Sequence, residues 1–307
     1  MKISTGLYFE RATQQMSNVQ SKLTKVQEQL STGLQIVKPS DEPDKASLVT
    51  RLEAELTRQA SHQDTLKAVN VRLTAEETAL KNTSDVLYRM KELAVQAAND
   101  TVGEQDRKSI AIEMGNLREQ ILSLANSQDS NGNYLFSGSR AGSPAFAKDA
   151  TGRVLYQGDQ ARMQVNVGDN RRMNLNMPGS DAFTRIVRDD GKGNKTGVDF
   201  FQSLDDLVNA VNSSDRVAIQ RGVGEVDALQ NGISEGLGQI GADLTVVDLQ
   251  NNVLDEVVLR LKSTRSDIED LDYTEAITRM NKDQLALQAA QSGFSKISQL
   301  SLFNYIK

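Results

Sequence analysis

The sequence predicts a mainly α protein of α+β class: an elongated rod of long antiparallel helices carrying an inserted β-rich domain, with its N- and C-terminal helices paired as a coiled coil. Three observations lead there. Apolar residues near the start recur with alternating gaps of three and four, the heptad spacing that lines them along one narrow stripe of a helix. No Gly or Pro interrupts the chain from Ala46 to Ala98. Between Asn131 and Gly197 short apolar runs change to the two-residue period of strands.

The N-terminal stripe is Phe9, Ala12, Met16, Val19, Leu23, Val26 and Leu30. Gln14, Gln15, Asn18, Gln20, Lys22, Lys25, Gln27 and Glu28 lie between, so the rest of the surface is polar. A helix this narrowly striped gains little stability alone and needs a partner. Gly33 and then Pro39-Ser40-Asp41-Glu42-Pro43 supply the stop and the next start.

From Ala46 the pattern runs on through Leu52, Leu66, Leu73, Leu80, Leu87 and Ala94 in seven-residue register, with Val69 and Met90 between. A helix of about 50 residues is about 75 Å long. A compact chain of this size is only about 50 Å across, hence the expected rod. Asn99 to Gln105 reads as a turn, after which Ile110, Met114, Leu117, Ile121 and Leu124 mark a helix folding back on the long one. The insert follows. Met163, Val165 and Val167 alternate, as do Met173, Leu175 and Met177, and Gly168-Asp169-Asn170-Arg171 between them suits a hairpin turn. Tyr134, Phe136 and Tyr156 are expected to pack its base.

Helical patterning returns with Phe200, Leu204, Leu207, Val208 and Val211, then Val226, Leu229 and Ile233. Gly232, Gly236, Gly238 and Gly241 are expected to break it. Leu244, Val247, Leu254, Val258, Leu261 and Ile268 resume the three-four register, with polar Asn251 and Arg265 at the missing positions. Met280, Leu287, Ala290, Phe294 and Ile297 form a second narrow stripe, the natural partner of the first. The expected domains are a terminal coiled coil (1–40 with 270–307), a helical rod (41–133 with 200–269) and a β-rich outer insert (134–199).

Composition removes most chemistry. The 307 residues hold 35 Lys plus Arg against 41 Asp plus Glu, a net charge of −6, with no basic block, which disfavours nucleic acid and anionic membrane surfaces. There is no Cys and one His, His62, so disulfides, thiol nucleophiles and sites needing two imidazoles are excluded. No apolar run is long enough for a membrane span. The start lacks the apolar core of a cleavable signal peptide, which leaves a cytosolic protein or export without cleavage.

The apparent motifs are weak. Gly236-Leu237-Gly238-Gln239-Ile240-Gly241 matches the dinucleotide fingerprint literally, yet helical patterns flank it where a strand is required. Gly191-Lys192-Gly193-Asn194-Lys195-Thr196 has the wrong spacing for a phosphate loop, and Asp129-Ser130-Asn131-Gly132-Asn133 and Asp189-Asp190-Gly191 read as turns, not calcium loops. His62 lacks the second His of a zinc-protease pair. Glu76-Glu77 and Asp205-Asp206 are expected on solvated helix faces. No cofactor, metal site or catalytic constellation is expected. What remains is association, either within the chain between its two stripes or between subunits.

Leu30-Ser31-Thr32-Gly33 followed by Pro39-Ser40-Asp41-Glu42-Pro43-Asp44-Lys45-Ala46 resembles the N-terminal region of the bacterial flagellin family, and the opening Met1-Lys2-Ile3-Ser4-Thr5 fits it. Gly132-Asn133-Tyr134-Leu135-Phe136-Ser137-Gly138, Pro144-Ala145-Phe146 and Tyr156-Gln157-Gly158-Asp159 resemble a junction-forming member of that family. So does the ending, from Asp272-Tyr273-Thr274 to Phe303-Asn304-Tyr305-Ile306. The resemblance implies a secreted, extracellular structural subunit, exported unfolded through the flagellar type III channel by an uncleaved signal. It would form a ring with copies of itself between hook-associated protein 1 and the first flagellin subunits. Before export a small cytosolic chaperone would hold the C-terminal region, Met280 to Lys307. The terminal segments would pair on assembly through Phe9, Met16, Val19, Leu23, Val26, Leu30, Met280, Leu287, Ala290, Phe294 and Ile297. The rivals are a short flagellin that builds the filament itself and a secreted helical adhesin; an enzyme is a distant third.

Overall fold

The computed structural model describes residues 2–189 and 195–303. The Gly191–Asn194 stretch and the Asn304–Ile306 ending lie outside the described residues, as do the side chains from Ile297 onward. The chain divides into two compact units, Met1–Gln59 with Glu256–Lys307, and Ala60–Asp255. Two helices, α2 (Pro43–Ala97) and α6 (Arg216–Glu269), contribute to both. The fold is mainly α with a small strand-containing insert, and the N- and C-terminal helices α1 (Lys2–Thr32) and α7 (Tyr273–Phe303) pair.

In the larger unit α3 (Glu104–Ala125) folds back antiparallel on α2. Arg107 closes the turn, donating from Nε to the Ala97 carbonyl at 2.9 Å and from Nη2 to that of Asn99 at 3.0 Å. Farther along, Arg89 Nη2 meets Glu113 at 2.9 Å. The α2–α6 pairing is antiparallel too: Lys91 bonds Asp227 at one end and Gln63 bonds Asp255 at the other, both at 2.6 Å. Between them lies a continuous core in which Leu66, Leu73, Leu80, Leu87 and Met90 of α2 meet Leu229, Ile233, Ile240 and Val247 of α6.

The insert is three separate antiparallel ribbons: β1 (Phe146–Lys148) with β2 (Val154–Tyr156), β3 (Gln164–Gly168) with β4 (Arg171–Asn174), and β5 (Ile186–Asp189) with β6 (Lys195–Val198). Val165 stands opposite Met173, and the register shifts between Asn166 and Gly168 at the turn. A two-stranded ribbon is marginal alone, and none of these has its own core. Phe136, Phe146, Val167, Met177 and Phe183 join the buried cluster of the helices. Phe183, in the turn after the short helix α4 (Gly179–Ala182), lies 5.5, 5.2 and 5.1 Å from the rings of Phe136, Phe146 and Phe200; Phe200 opens α5 (Phe200–Asn212).

The structure explains the paired motifs at 132–138 and 156–159 as one node. Gly138 has φ +69°, and a Cβ there would overlap the Asp159 carboxylate. That carboxylate accepts the amides of Ser139 at 2.8 Å and Ala161 at 3.0 Å. The Tyr156 hydroxyl is shared between the carbonyls of Phe136 (3.0 Å) and Asp159 (2.7 Å). The Asp129 segment is a turn, its carboxylate accepting the amides of Asn131 and Asn133.

Two expectations are corrected. The glycines at 232–241 do not break the helix, since α6 runs unbroken from Arg216 to Glu269. Once a face is buried, packing overrides the propensity cost of about 1 kcal/mol per Gly. A Cβ at Gly232 would overlap Thr184 Oγ1, and one at Gly236 would sit 3.3 Å from Leu80 and 3.6 Å from Ala182, so these positions admit the insert close to the helix. Nor are the paired carboxylates simply solvated: Glu76 is buried, while Glu77, Asp205 and Asp206 are partly exposed and each is bound to a cation. Asp205 receives Arg118 Nε and Nη2 at 2.8 and 2.9 Å, and Asp206 receives Arg188 at 2.6 Å. Spacing alone does not reveal the arginine that joins a carboxylate from a distant element.

Candidate assembly interface

On α1 the side chains of Phe9, Ala12, Met16, Val19, Leu23 and Leu30 are half-buried and Val26 is buried, while almost every position between is exposed. On α7 Ala276 is buried, and Met280, Asp283, Leu287, Ala290 and Phe294 are half-buried. Gaps of four and three join these α7 positions, so the stripe begins earlier than Met280 and carries one carboxylate, Asp283. The helices run antiparallel. Phe9 meets Phe294 near one end, while Val26, Leu271 and Ala276 form a small buried cluster at the other, with Leu30 and Met280 against it.

The buried end of the pair is closed by a backbone clasp. Gly33 ends α1 with φ +74°, the left-handed conformation of a helix C-terminus, and its amide donates to the Gln29 carbonyl at 2.8 Å. Leu271 N donates to Gly33 O at 3.0 Å, Gln35 N donates to Glu269 O at 2.7 Å, and Leu34 bridges Asp270 antiparallel. Gln29, buried within the helix, donates from its amide to the Gln35 carbonyl at 2.6 Å. Asp272 then caps α7, accepting the amides of Thr274 at 2.8 Å and Glu275 at 3.1 Å. Ion pairs Lys25–Asp41 (3.1 Å) and Lys38–Glu28 (3.2 Å) lie at the surface and add little.

Beyond the clasp one helix can cover only one side of another. Most of each stripe therefore stays half open, and Leu7, Ile277 and Leu285 are 48, 46 and 68% exposed. Sequence reasoning misses Leu271, Ala276 and Gln29, although the Ala276–Met280 spacing was there to read. Among the described residues no group of three or more His, Asp or Glu could hold a metal ion, and no helix is long and apolar enough to cross a membrane.

Residues 3–141 match the bacterial flagellin N-terminal helical region, and residues 223–306 match the bacterial flagellin C-terminal helical region. The chain belongs to the bacterial flagellin family. Its stretch from 142 to 222 falls between the two matches and holds, among the described residues, the six strands and α5. Among relatives of this flagellin-family chain, flagellar hook-associated protein 3 of Salmonella typhimurium is 26% identical over 316 residues, covering 99% of both chains. Flagellin of Listeria monocytogenes is 24% identical over 300 residues, covering 97% of this chain and 96% of that one. A crystal structure of FlgL from Xanthomonas campestris is 25% identical with a TM-score of 0.61, covering 71% of this chain and 99% of that chain.

Proposed function

We propose that the chain is the hook-filament junction subunit of the bacterial flagellum, an extracellular structural protein and not an enzyme. The observation that carries this reading is the end-to-end likeness to hook-associated protein 3, joined to a terminal helix pair whose apolar stripes are only half covered. Half-covered stripes are stabilised by further helices, and a ring of identical subunits supplies them. Phe9, Met16, Val19, Leu23, Val26 and Leu30, with Met280, Leu287, Ala290, Phe294 and Ile297, would form that inner layer. Hook-associated protein 1 on one side and flagellin on the other would be the neighbours, and the C-terminal region from Met280 would meet an export chaperone first.

The likeness to Listeria flagellin favours a second reading, a short flagellin that builds the filament itself. Immunogold labelling of intact flagella separates the two. A single band of label where hook meets filament supports the junction, and label along the whole filament supports the flagellin.

A further inference from the structure

We propose that Glu76 is a proton-controlled latch between α2 and the insert, closed while its carboxyl is neutral and loosened when it ionises. Glu76 is fully buried, and its two oxygens face the Met177 amide at 3.4 and 3.2 Å, where the chain leaves β4 for α4. One turn earlier on α2 lies Arg72, with Nε 3.4 Å from the Glu76 carboxyl. The rest of that guanidinium is committed elsewhere. It donates to the carbonyls of Leu135 (2.9 Å) and Tyr134 (3.3 Å) and to Asp129 (3.4 Å) on the loop after α3. Together the two side chains hold the insert at two places: Arg72 at its entry and Glu76 midway, between β4 and α4.

The charges around Glu76 do not balance. One guanidinium faces Asp129 and Glu76, and Asp243 of α6 adds a third carboxylate. Arg162 of the insert, which lines the small gap beside Met177 and Asp243, is bound to Asp181 at 2.7 Å. Asp129 accepts three hydrogen bonds from Asn131 and Asn133, which hold its carboxyl below the usual range, so the proton belongs on Glu76. Burial pushes the Glu76 carboxyl up to about 8, outweighing the opposite pull of Arg72 and the Met177 amide. A neutral carboxyl still accepts the Met177 amide on its carbonyl oxygen, whereas an ionised one is left buried with only a guanidinium that it shares with Asp129. The neutral form's contribution is whole below the ordinary value of 4.5 and is lost as the pH rises toward 8, because opening in that window releases a proton.

Hydrogen exchange on the full chain tests this, with rates corrected for base catalysis. Protection of the Met177 amide should fall by about tenfold per pH unit from about pH 6 to 8 and level off above. Glu76→Gln keeps the acceptor without the proton and should remove that dependence. Asp243→Asn, which lies outside the hydrogen-bonded latch, should move the levelling point to lower pH. A flat wild-type profile, a Glu76→Gln profile with the wild-type slope, or an unmoved levelling point in Asp243→Asn would each overturn the latch.

Discussion

The ring of Phe9 meets the ring of Phe294 edge on, with centroids 5.4 Å apart and planes at 84°. The contact lies far along both helices from the clasp at Gly33 and Leu271, so the two chain ends are paired over most of their length. Both rings remain half-buried. That combination suits a pair that exists in the single chain and gains its remaining cover from neighbours.

A charge placed in either stripe should therefore act on assembly and not on the larger unit. Leu23→Asp or Leu287→Asp should block incorporation into flagella, as read from immunoblots of purified flagella. The melting of the larger unit, followed by circular dichroism, should stay within a few degrees of wild type, since neither residue reaches that core. Normal incorporation of either variant refutes the stripe as an assembly surface.

The glycines of α6 should divide into two classes. At Gly238 nothing lies within 4 Å of an added Cβ, so Gly238→Ala should gain about 0.5–1 kcal/mol from helix propensity. At Gly232 the new methyl group would overlap Thr184, and Gly232→Ala should lose stability instead, by about 1–3 kcal/mol. Thermal melts of the two variants with opposite signs would confirm that α6 is continuous.

Gly138 combines a left-handed backbone with a wall formed by Asp159. Gly138→Ala should cost at least about 2 kcal/mol. The loss should appear as lowered amide protection at Ser139 and Ala161, whose amides bond Asp159.

Arg118 is nearly buried, binds Asp205 through two nitrogens, and lies 5.5 Å above the Phe201 ring. Its removal in Arg118→Ala leaves Asp205, one third exposed, without its cation. A loss of about 2 kcal/mol in urea unfolding is expected, below that of a fully buried pair because water reaches Asp205.

The long helices were legible because their burial follows one repeat. On α6, Val247 and Leu254 are buried, and Leu244, Asn251, Val258, Leu261, Arg265 and Ile268 are half-buried, including the two polar residues that hold seam positions. The turn at Gly168–Arg171 was legible from its residue types alone. The glycine run was misread because the reason for those glycines, Ala182 and Thr184 of the insert, lies some 50 residues away in sequence. Still longer separations, 101 and 87 residues, hid Glu76 and Asp205, whose partners Met177 and Arg118 belong to other elements. In the terminal pair, Phe9 and Phe294 were readable from spacing, whereas the clasp is made of backbone groups that leave no mark on composition.

Deleting the gene, imaging the cell surface by electron microscopy and assaying flagellin in the medium tests the junction reading most directly. Hooks without filaments, together with flagellin lost to the medium, are expected. Intact motile flagella, or hooks without filaments and no flagellin outside the cell, would contradict it.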